Sequence, residues 1–486
     1  MATLGARGRR SLRVLLINPG RFFYPLPPLS LVYLAGYARA RAPGRHQFTV
    51  CDENAGEDAV GAIRAGEHDV VALTAVTNQI PRAYALARCA KEQRRPPLVI
   101  LGGVHATVLP ERTLGECQAL DGLVVGEGER AFAELLARVA DGLGSGEVAA
   151  LGADVPSLVT RERTSRRAAP VVDLDSLPLP DRRLLNLGYY RRPRLVIRGM
   201  VGRATHLMAS RGCPYDCTFC SSRLLWGRKV RAASPARVVE EVAAIGDLGF
   251  DGVFFQDDIF SLDKERAAAI CEGLLRRGLA RRLRWTVQMR ANLIGDGDRA
   301  LLRLMREAGC VQVEYGLESG SQRVLDLLKV REASVAKNSE VVRLTHDCGL
   351  RVLGTFILGT QGETAEDLAL TMRFIEQHER SLDYYQVFLS TPYPGTRLWD
   401  VCNGAGVLRG KTWEQYAMGV FDDTVFSTTV DHGLVRRTLR ELTNRSFRKI
   451  SLGHKLLWLY SRLRDDPRYV WRRVLDFVRP AAAARG

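Results

Sequence analysis

At 486 residues the chain is long for a single domain, and its 46% hydrophobic and 26% charged composition is that of a globular protein, not a disordered or fibrous one. No run approaches the roughly 18–20 uncharged apolar residues of a membrane span, and the short apolar run after the basic N-terminus stops at Asn18-Pro19-Gly20, so it reads as a first strand instead of a signal peptide; a cytoplasmic protein is expected. The net charge of +16 is uneven: 431–486 holds 14 Lys and Arg against 5 Asp and Glu, which leaves the front of the chain only mildly basic and argues against a nucleic-acid partner.

The first 140 residues alternate short apolar strands, predicted at 14–18, 48–52, 70–76, 98–102 and 122–126, with amphipathic segments such as 31–40 and 82–92. Apolar strands without alternation, separated by helices, predict a doubly wound parallel sheet covered on both faces. Such sheets receive ligands at the strands' carboxyl ends. Here those ends are Asn18-Pro19-Gly20, Thr74-Ala75, Gly102-Gly103 and Gly126-Glu127-Gly128, all rich in small or turn-forming residues. Residues 151–204 read as a connector, with a hairpin running from Asp154–Val159 to Pro170-Val171-Val172 and then Leu177-Pro178-Leu179-Pro180.

Alternation resumes from His206 to about Thr391. Strands are predicted at 206–210, 252–256, 284–289, 311–317, 351–358 and 384–389, and helices at 235–248, 264–279, 298–308, 334–348 and 364–378. Six strands with intervening helices and no reversal predict a partial (β/α)6 barrel, with its chemistry at the strand carboxyl ends. The tail from Gly433 reads as helical, with Val435, Leu439 and Leu442 at helical spacing and Trp458, Tyr469, Trp471 and Phe477 as aromatic bulk. The expected units are 1–150, a connector 151–204, 205–400 and 401–486.

Three of the ten cysteines fall within eight residues, in Arg211-Gly212-Cys213-Pro214-Tyr215-Asp216-Cys217-Thr218-Phe219-Cys220. The other seven, Cys51, Cys89, Cys117, Cys271, Cys310, Cys348 and Cys402, stand singly and suit buried apolar positions better than a disulfide framework. The C-x3-C-x2-C spacing directly follows the first barrel strand. Three thiolates in one loop can hold three irons of a [4Fe–4S] cluster and leave the fourth open. A zinc knuckle would want a second cysteine pair, and none lies nearby.

These residues resemble the signature of radical S-adenosylmethionine enzymes. The resemblance implies that Cys213, Cys217 and Cys220 hold the cluster and that the open iron binds the amino and carboxylate groups of S-adenosylmethionine, whose cleavage yields a 5′-deoxyadenosyl radical. It further implies that Phe219 packs near the adenine and that Asp257 or Asp258 receives the methionine amino group. Arg290 and Glu318, at the ends of the third and fourth strands, would meet other polar parts of the same molecule. Core packing for Phe219, a strand-end cap for the Asp pair, and barrel salt bridges for Arg290 and Glu318 are the structural alternatives. Ile259 departs from the usual polar residue after the Asp pair and leaves the choice between the two carboxylates open.

Gly102-Gly103-Val104-His105 and Val124-Val125-Gly126-Glu127-Gly128-Glu129 resemble the cobalamin-binding domain fused ahead of many such barrels. On that resemblance Asn18, Thr74, Gly102, Gly103, Gly126 and Glu127 would surround cobalamin. His105 lacks the Asp and Gly of the D-x-H-x-x-G motif and is not assigned to cobalt. The fold class expected is α/β: a flavodoxin-like, cobalamin-binding-type domain, a partial TIM-like barrel and a helical C-terminal region. The resembling subgroup implies a C-methyltransferase using a [4Fe–4S] cluster, S-adenosylmethionine and cobalamin. Its alternatives are a cyclase, ring-rearranging or oxidative enzyme on the same cofactors without methyl transfer and, behind that, an RNA-modifying radical S-adenosylmethionine enzyme or a non-catalytic corrinoid-binding protein. A small-molecule or amphiphilic substrate and an electron donor such as flavodoxin or ferredoxin are the expected partners. The basic tail suits either a helical cap on the barrel or contact with a membrane surface.

Overall fold

The computed structural model describes residues 10–20, 26–142, 155–164, 167–197, 200–417 and 424–465. Its first sheet contains β1 (Leu12–Asn18), β2 (His46–Asp52), β3 (Val70–Thr74), β4 (Leu98–Gly102), β5 (Gly122–Val124) and β6 (Leu158–Val159), in the order β2-β1-β3-β4-β5-β6. The first five are parallel and β6 is antiparallel to β5. Because successive side chains point to opposite faces, Val14 and Leu16 enter one core while Leu15 and Ile17 enter another. The helices Leu29–Arg41 and Glu129–Ala140 cover the first face; Ala59–Ala65 and Ile80–Lys91 cover the second.

The predicted connector hairpin is not formed as expected. Leu158–Val159 joins the exposed edge of β5, where backbone groups would otherwise lack partners, and Pro170–Val172 forms no strand. Val171 is buried there as packing. A short antiparallel pair follows, β7 (Arg194–Ile197) with β8 (Met200–Gly202).

The second sheet begins with β9 (Ala204–Leu207). Next, β10 (Ser210–Arg211) pairs with β11 (Arg231–Ala232) across the cysteine loop. The sheet continues with β12 (Gly252–Phe255), β13 (Arg284–Met289), β14 (Cys310–Glu318), β15 (Arg351–Leu358) and β16 (Tyr384–Leu389). All six strands are parallel and lie in chain order, from β9 at one edge through β12 to β16 at the other. This is the curled, half-barrel α/β sheet expected from the alternation. The outer helices start on local caps: Ser234, Asp263, Ser334 and Thr364 each accept a hydrogen bond from a backbone N–H in the first turn. One apolar core runs from the first sheet into the second, with Val14, Phe132, Leu207 and Phe255 in the same cluster.

In the C-terminal region the helix His432–Arg448, expected from the helical spacing of Val435, Leu439 and Leu442, buries those three side chains and packs on β16. The helix Leu452–Asp465 follows. The Trp458 side chain, Tyr469, Trp471 and Phe477 lie outside the described residues. Among the described residues no helix is long and apolar enough to cross a membrane.

Candidate functional site

The cysteine loop is held from three sides. Gly212 adopts φ +102°, and a Cβ there would stand 2.4 Å from the Lys229 carbonyl oxygen, so only glycine fits this turn into Cys213. Thr218 donates its backbone N–H to Leu328 O (2.8 Å) and accepts with its carbonyl from Leu398 N (2.9 Å). Asp216 pairs with Arg223 and Arg397. Cys213, Cys217 and Cys220 are free thiols, and all three line one cavity of about 440 Å³ at the carboxyl ends of β12–β16. Burial lifts the thiol pKa of Cys213 to about 11 and that of Cys220 to about 12, with nearby backbone N–H groups opposing the shift. Iron must therefore displace protons to bind. Three free thiols lining one cavity, with no fourth cysteine among its lining, fit a cluster with one open iron.

The other predicted residues take different positions. Phe219, Asp258, Arg290 and Glu318 line the cavity; Asp257 does not. Asp257 is fully buried, and its carboxylate accepts from Ala209 N (2.7 Å) and Ser210 Oγ (2.7 Å). Burial raises its pKa to about 6 against the pull of Ser210 and Arg266. Asp258 takes one bond from Ser222 Oγ and is otherwise turned to the cavity, its pKa raised by burial. The strand end thus separates two adjacent carboxylates: one braces the turn after β9, and the other faces the ligand space. Arg290 donates to Cys217 Sγ (3.3 Å) and lies 3.5 Å over the Tyr215 ring. Glu318 has φ +60°, a conformation that costs a non-glycine residue about 1–2 kcal/mol. Its carboxylate is held by Lys329 Nζ at 3.2 Å.

A second cavity, of about 380 Å³, opens at the carboxyl ends of β1, β3, β4 and β5, beside the point where the order reverses between β1 and β3. Asn18, Thr74, Gly102, Gly103, Gly126 and Glu127 all line it. A Cβ on Gly103, at φ +100°, would come 2.6 Å from the Ala75 carbonyl oxygen, so a bare backbone faces whatever lies here. Glycine-floored strand ends of this kind fit a broad planar group lying against the backbone. Glu127 is less available than its position in the chain suggests. Its carboxylate pairs with Arg211 (2.9 Å) and Arg231 (2.6 Å), and Arg211 also holds Glu129 (2.6 Å). All four side chains are at most 8% exposed, so this is a buried charge network joining the first domain to the residue two before Cys213. His105 is fully buried, hydrogen-bonded to Thr77 and edge-on to Trp413, and is not in the cavity wall.

Sequence reasoning missed several residues. Gln256, one position past β12, lines both cavities, so the two spaces border this one residue. His206 lines the second cavity; burial lowers its pKa to about 3, so its ring is neutral. Gln288, Glu314 and Thr355 project into the barrel from β13, β14 and β15. Period-two alternation on a known barrel strand marks Gln288 with Arg290, and Glu314 with Gly316 and Glu318. The charge network, by contrast, had no local signal.

A three-thiol loop above a curled parallel sheet, joined to a flavodoxin-like domain with a glycine-floored cavity, defines an iron–sulfur enzyme with a second ligand domain. The Radical SAM superfamily pattern matches residues 207–375 and the B12 binding domain pattern matches residues 17–136. An uncharacterised methyltransferase of Pyrococcus horikoshii is 32% identical over 395 residues, covering 80% of this chain and 81% of that protein. The anaerobic magnesium-protoporphyrin IX monomethyl ester cyclase of Cereibacter sphaeroides is 30% identical, covering 77% and 60%. In fold the chain is similar to the radical S-adenosylmethionine methyltransferase TsrM of Kitasatospora setae, with a TM-score of 0.67 at 19% identity, covering 83% of this chain and 77% of that one. The chain belongs to the radical S-adenosylmethionine enzymes that carry a cobalamin-binding domain. Its cofactors are a [4Fe–4S] cluster, S-adenosylmethionine and cobalamin.

Proposed function

We propose that this enzyme transfers a methyl group to an unactivated carbon of a small-molecule or amphiphilic substrate. One observation carries the reading: the thiol-lined cavity and the glycine-floored cavity adjoin at Gln256 within one chain. A substrate held beside Gln256 would border both ligand spaces. When bound, the cluster supplies the electron that cleaves S-adenosylmethionine, and cobalamin carries the methyl group.

The chain's own residues bind, orient and exclude water. Cys213, Cys217 and Cys220 hold the cluster, and the Arg290 guanidinium at Cys217 stabilises thiolate charge. Asp258 and Glu318 take the polar groups of S-adenosylmethionine, and Phe219 packs against its base. Asn18, Thr74 and the glycines at 102, 103 and 126 cradle the corrinoid, with Glu127 contributing its backbone while its carboxylate stays in the ion network. Phe254, Met289, Ile357 and Phe388 make the barrel wall apolar, while Gln288, Glu314 and Thr355 supply hydrogen-bonding groups for substrate orientation. A flavodoxin or ferredoxin would deliver the electron, consistent with a cytoplasmic setting.

The division between Asp257 and Asp258 is testable. D258N is expected to weaken S-adenosylmethionine binding about tenfold or more, the loss of one charge-assisted contact, with the unfolding midpoint unmoved. D257A is expected to lower stability by about 2–4 kcal/mol, because the Ala209 N–H and Ser210 hydroxyl lose their buried acceptor. Equilibrium binding beside thermal melts reads both; a D257A protein that binds less but melts normally would reverse the assignment.

A second reading rests on the Cereibacter sphaeroides relative, which is a cyclase: ring formation without net methyl transfer. Product mass separates the two. With methyl-deuterated S-adenosylmethionine and candidate extracts, the methyl-transfer reading requires a product heavier by one labelled methyl. An unlabelled product formed together with 5′-deoxyadenosine would overturn methyl transfer in favour of a reaction without it, of which the cyclase type is one.

A further inference from the structure

Among the described residues, large exposed hydrophobic side chains are concentrated near the C-terminal end. Phe447, Leu452, Leu456, Leu459, Tyr460 and Leu463 are six of twelve such side chains, and Leu452, Tyr460 and Leu456 are 72%, 61% and 59% exposed. On the helix Leu452–Asp465, at about 100° per residue, the four leucines and Tyr460 fall within an arc of about 100°. Lys455 stands at one edge of that arc and Arg464 at the other. The Lys455 ammonium lies 5.5 Å from the Phe447 ring centre and the Arg464 guanidinium 5.8 Å from that of Tyr460, so both charged heads flank the apolar stripe. Outside the stripe, His454 and Leu457 are half-buried, and the helix lies against β7. From Phe447 to Asp465 the sequence carries five Lys and Arg and one Asp.

This pattern selects among occupants. Nucleic acid would meet leucines where a phosphate-tracking face needs cations. A second copy paired two-fold on the stripe would bring like charges together along both edges. An apolar centre bounded by basic residues on both sides is the arrangement of a helix lying in the plane of an anionic bilayer surface, with its long basic side chains reaching the headgroup phosphates. No described helix is long and apolar enough to span instead.

We propose that Phe447–Leu463 seats this enzyme on an anionic lipid surface. The inference stands apart from the reaction assigned above, because it uses neither cavity.

The test is co-sedimentation of full-length, cofactor-loaded protein with vesicles of phosphatidylglycerol and phosphatidylcholine, or of phosphatidylcholine alone. The protein is expected to pellet with the anionic vesicles at low salt, and about tenfold less with neutral vesicles or at high salt. L456S/L459S/L463S is expected to lose about tenfold or more of the binding with an unchanged melting midpoint, since these side chains are exposed. K455E/R464E is expected to lose binding to anionic vesicles in particular. The proposal is overturned if wild-type protein stays in the supernatant throughout, or if the triple serine variant pellets like wild type. It is equally overturned by a dimer, or by bound RNA, that the serine variant abolishes.

Discussion

C213A/C217A/C220A protein, purified anaerobically and supplied with iron and sulfide, is expected to hold under a tenth of the roughly four irons per chain of the wild type. It should form no 5′-deoxyadenosine above background. The three thiols line the barrel cavity, and no cysteine outside the loop lines it. Each of the three is needed, because a cubane anchored by two thiolates loses a third of its protein bonds and exposes a second iron to water. C217A alone should therefore lose most of the iron too. C271A, at a fully buried position in the outer core, is the control: it should cost stability of about 1 kcal/mol and keep full iron content. Iron assay and chromatography of the nucleoside read both. A triple variant that still cleaves S-adenosylmethionine would remove the cluster assignment.

R211M is expected to produce the largest stability loss of any single substitution considered for this chain. Burial works against the Arg211 charge, but the Glu129 and Glu127 carboxylates outweigh it and hold its pKa above the ordinary value. Removing the guanidinium strands Glu129 in a site 6% exposed, and breaking one partner from a buried pair costs about 3–5 kcal/mol. The apparent melting midpoint should fall on the order of 10 °C. R211M/E129Q should recover part of the loss, because the deserted charge is gone as well. The same network fixes Arg211 against the first domain, so R211M should also reduce iron retention through the loop that begins at Gly212. A variant melting within about 1 °C of wild type would show that the Arg211 ion pairs contribute nothing to holding the two domains together.

Much of the architecture was legible in the chain. The strands β4, β13, β15 and β16 have the predicted bounds: β4 lies between Pro97 and Gly103, β13 runs from Arg284 to just before Arg290, β15 from Arg351 to just before Gly359, and β16 starts after Asp383. The alternation of those runs with helical segments implied two parallel sheets, one doubly wound and one a partial barrel. The failed hairpin shows where this logic stops. Leu158–Val159 looked as suited to Pro170–Val172 as to any strand, and the choice was made by the unpaired edge of β5, which lies more than thirty residues earlier.

The same division runs through the site. The sequence alone determined the fold class and the three-cysteine loop, since chemistry that depends on residue type at short spacing is written in consecutive positions. Only the tertiary structure decided that Asp258 and not Asp257 faces the cavity, that Glu127 is occupied by Arg211 and Arg231, and that Gln256 joins two ligand spaces. Those facts depend on which way a side chain turns at a strand end and on what a distant segment brings opposite it. Spacing along one chain does not encode either.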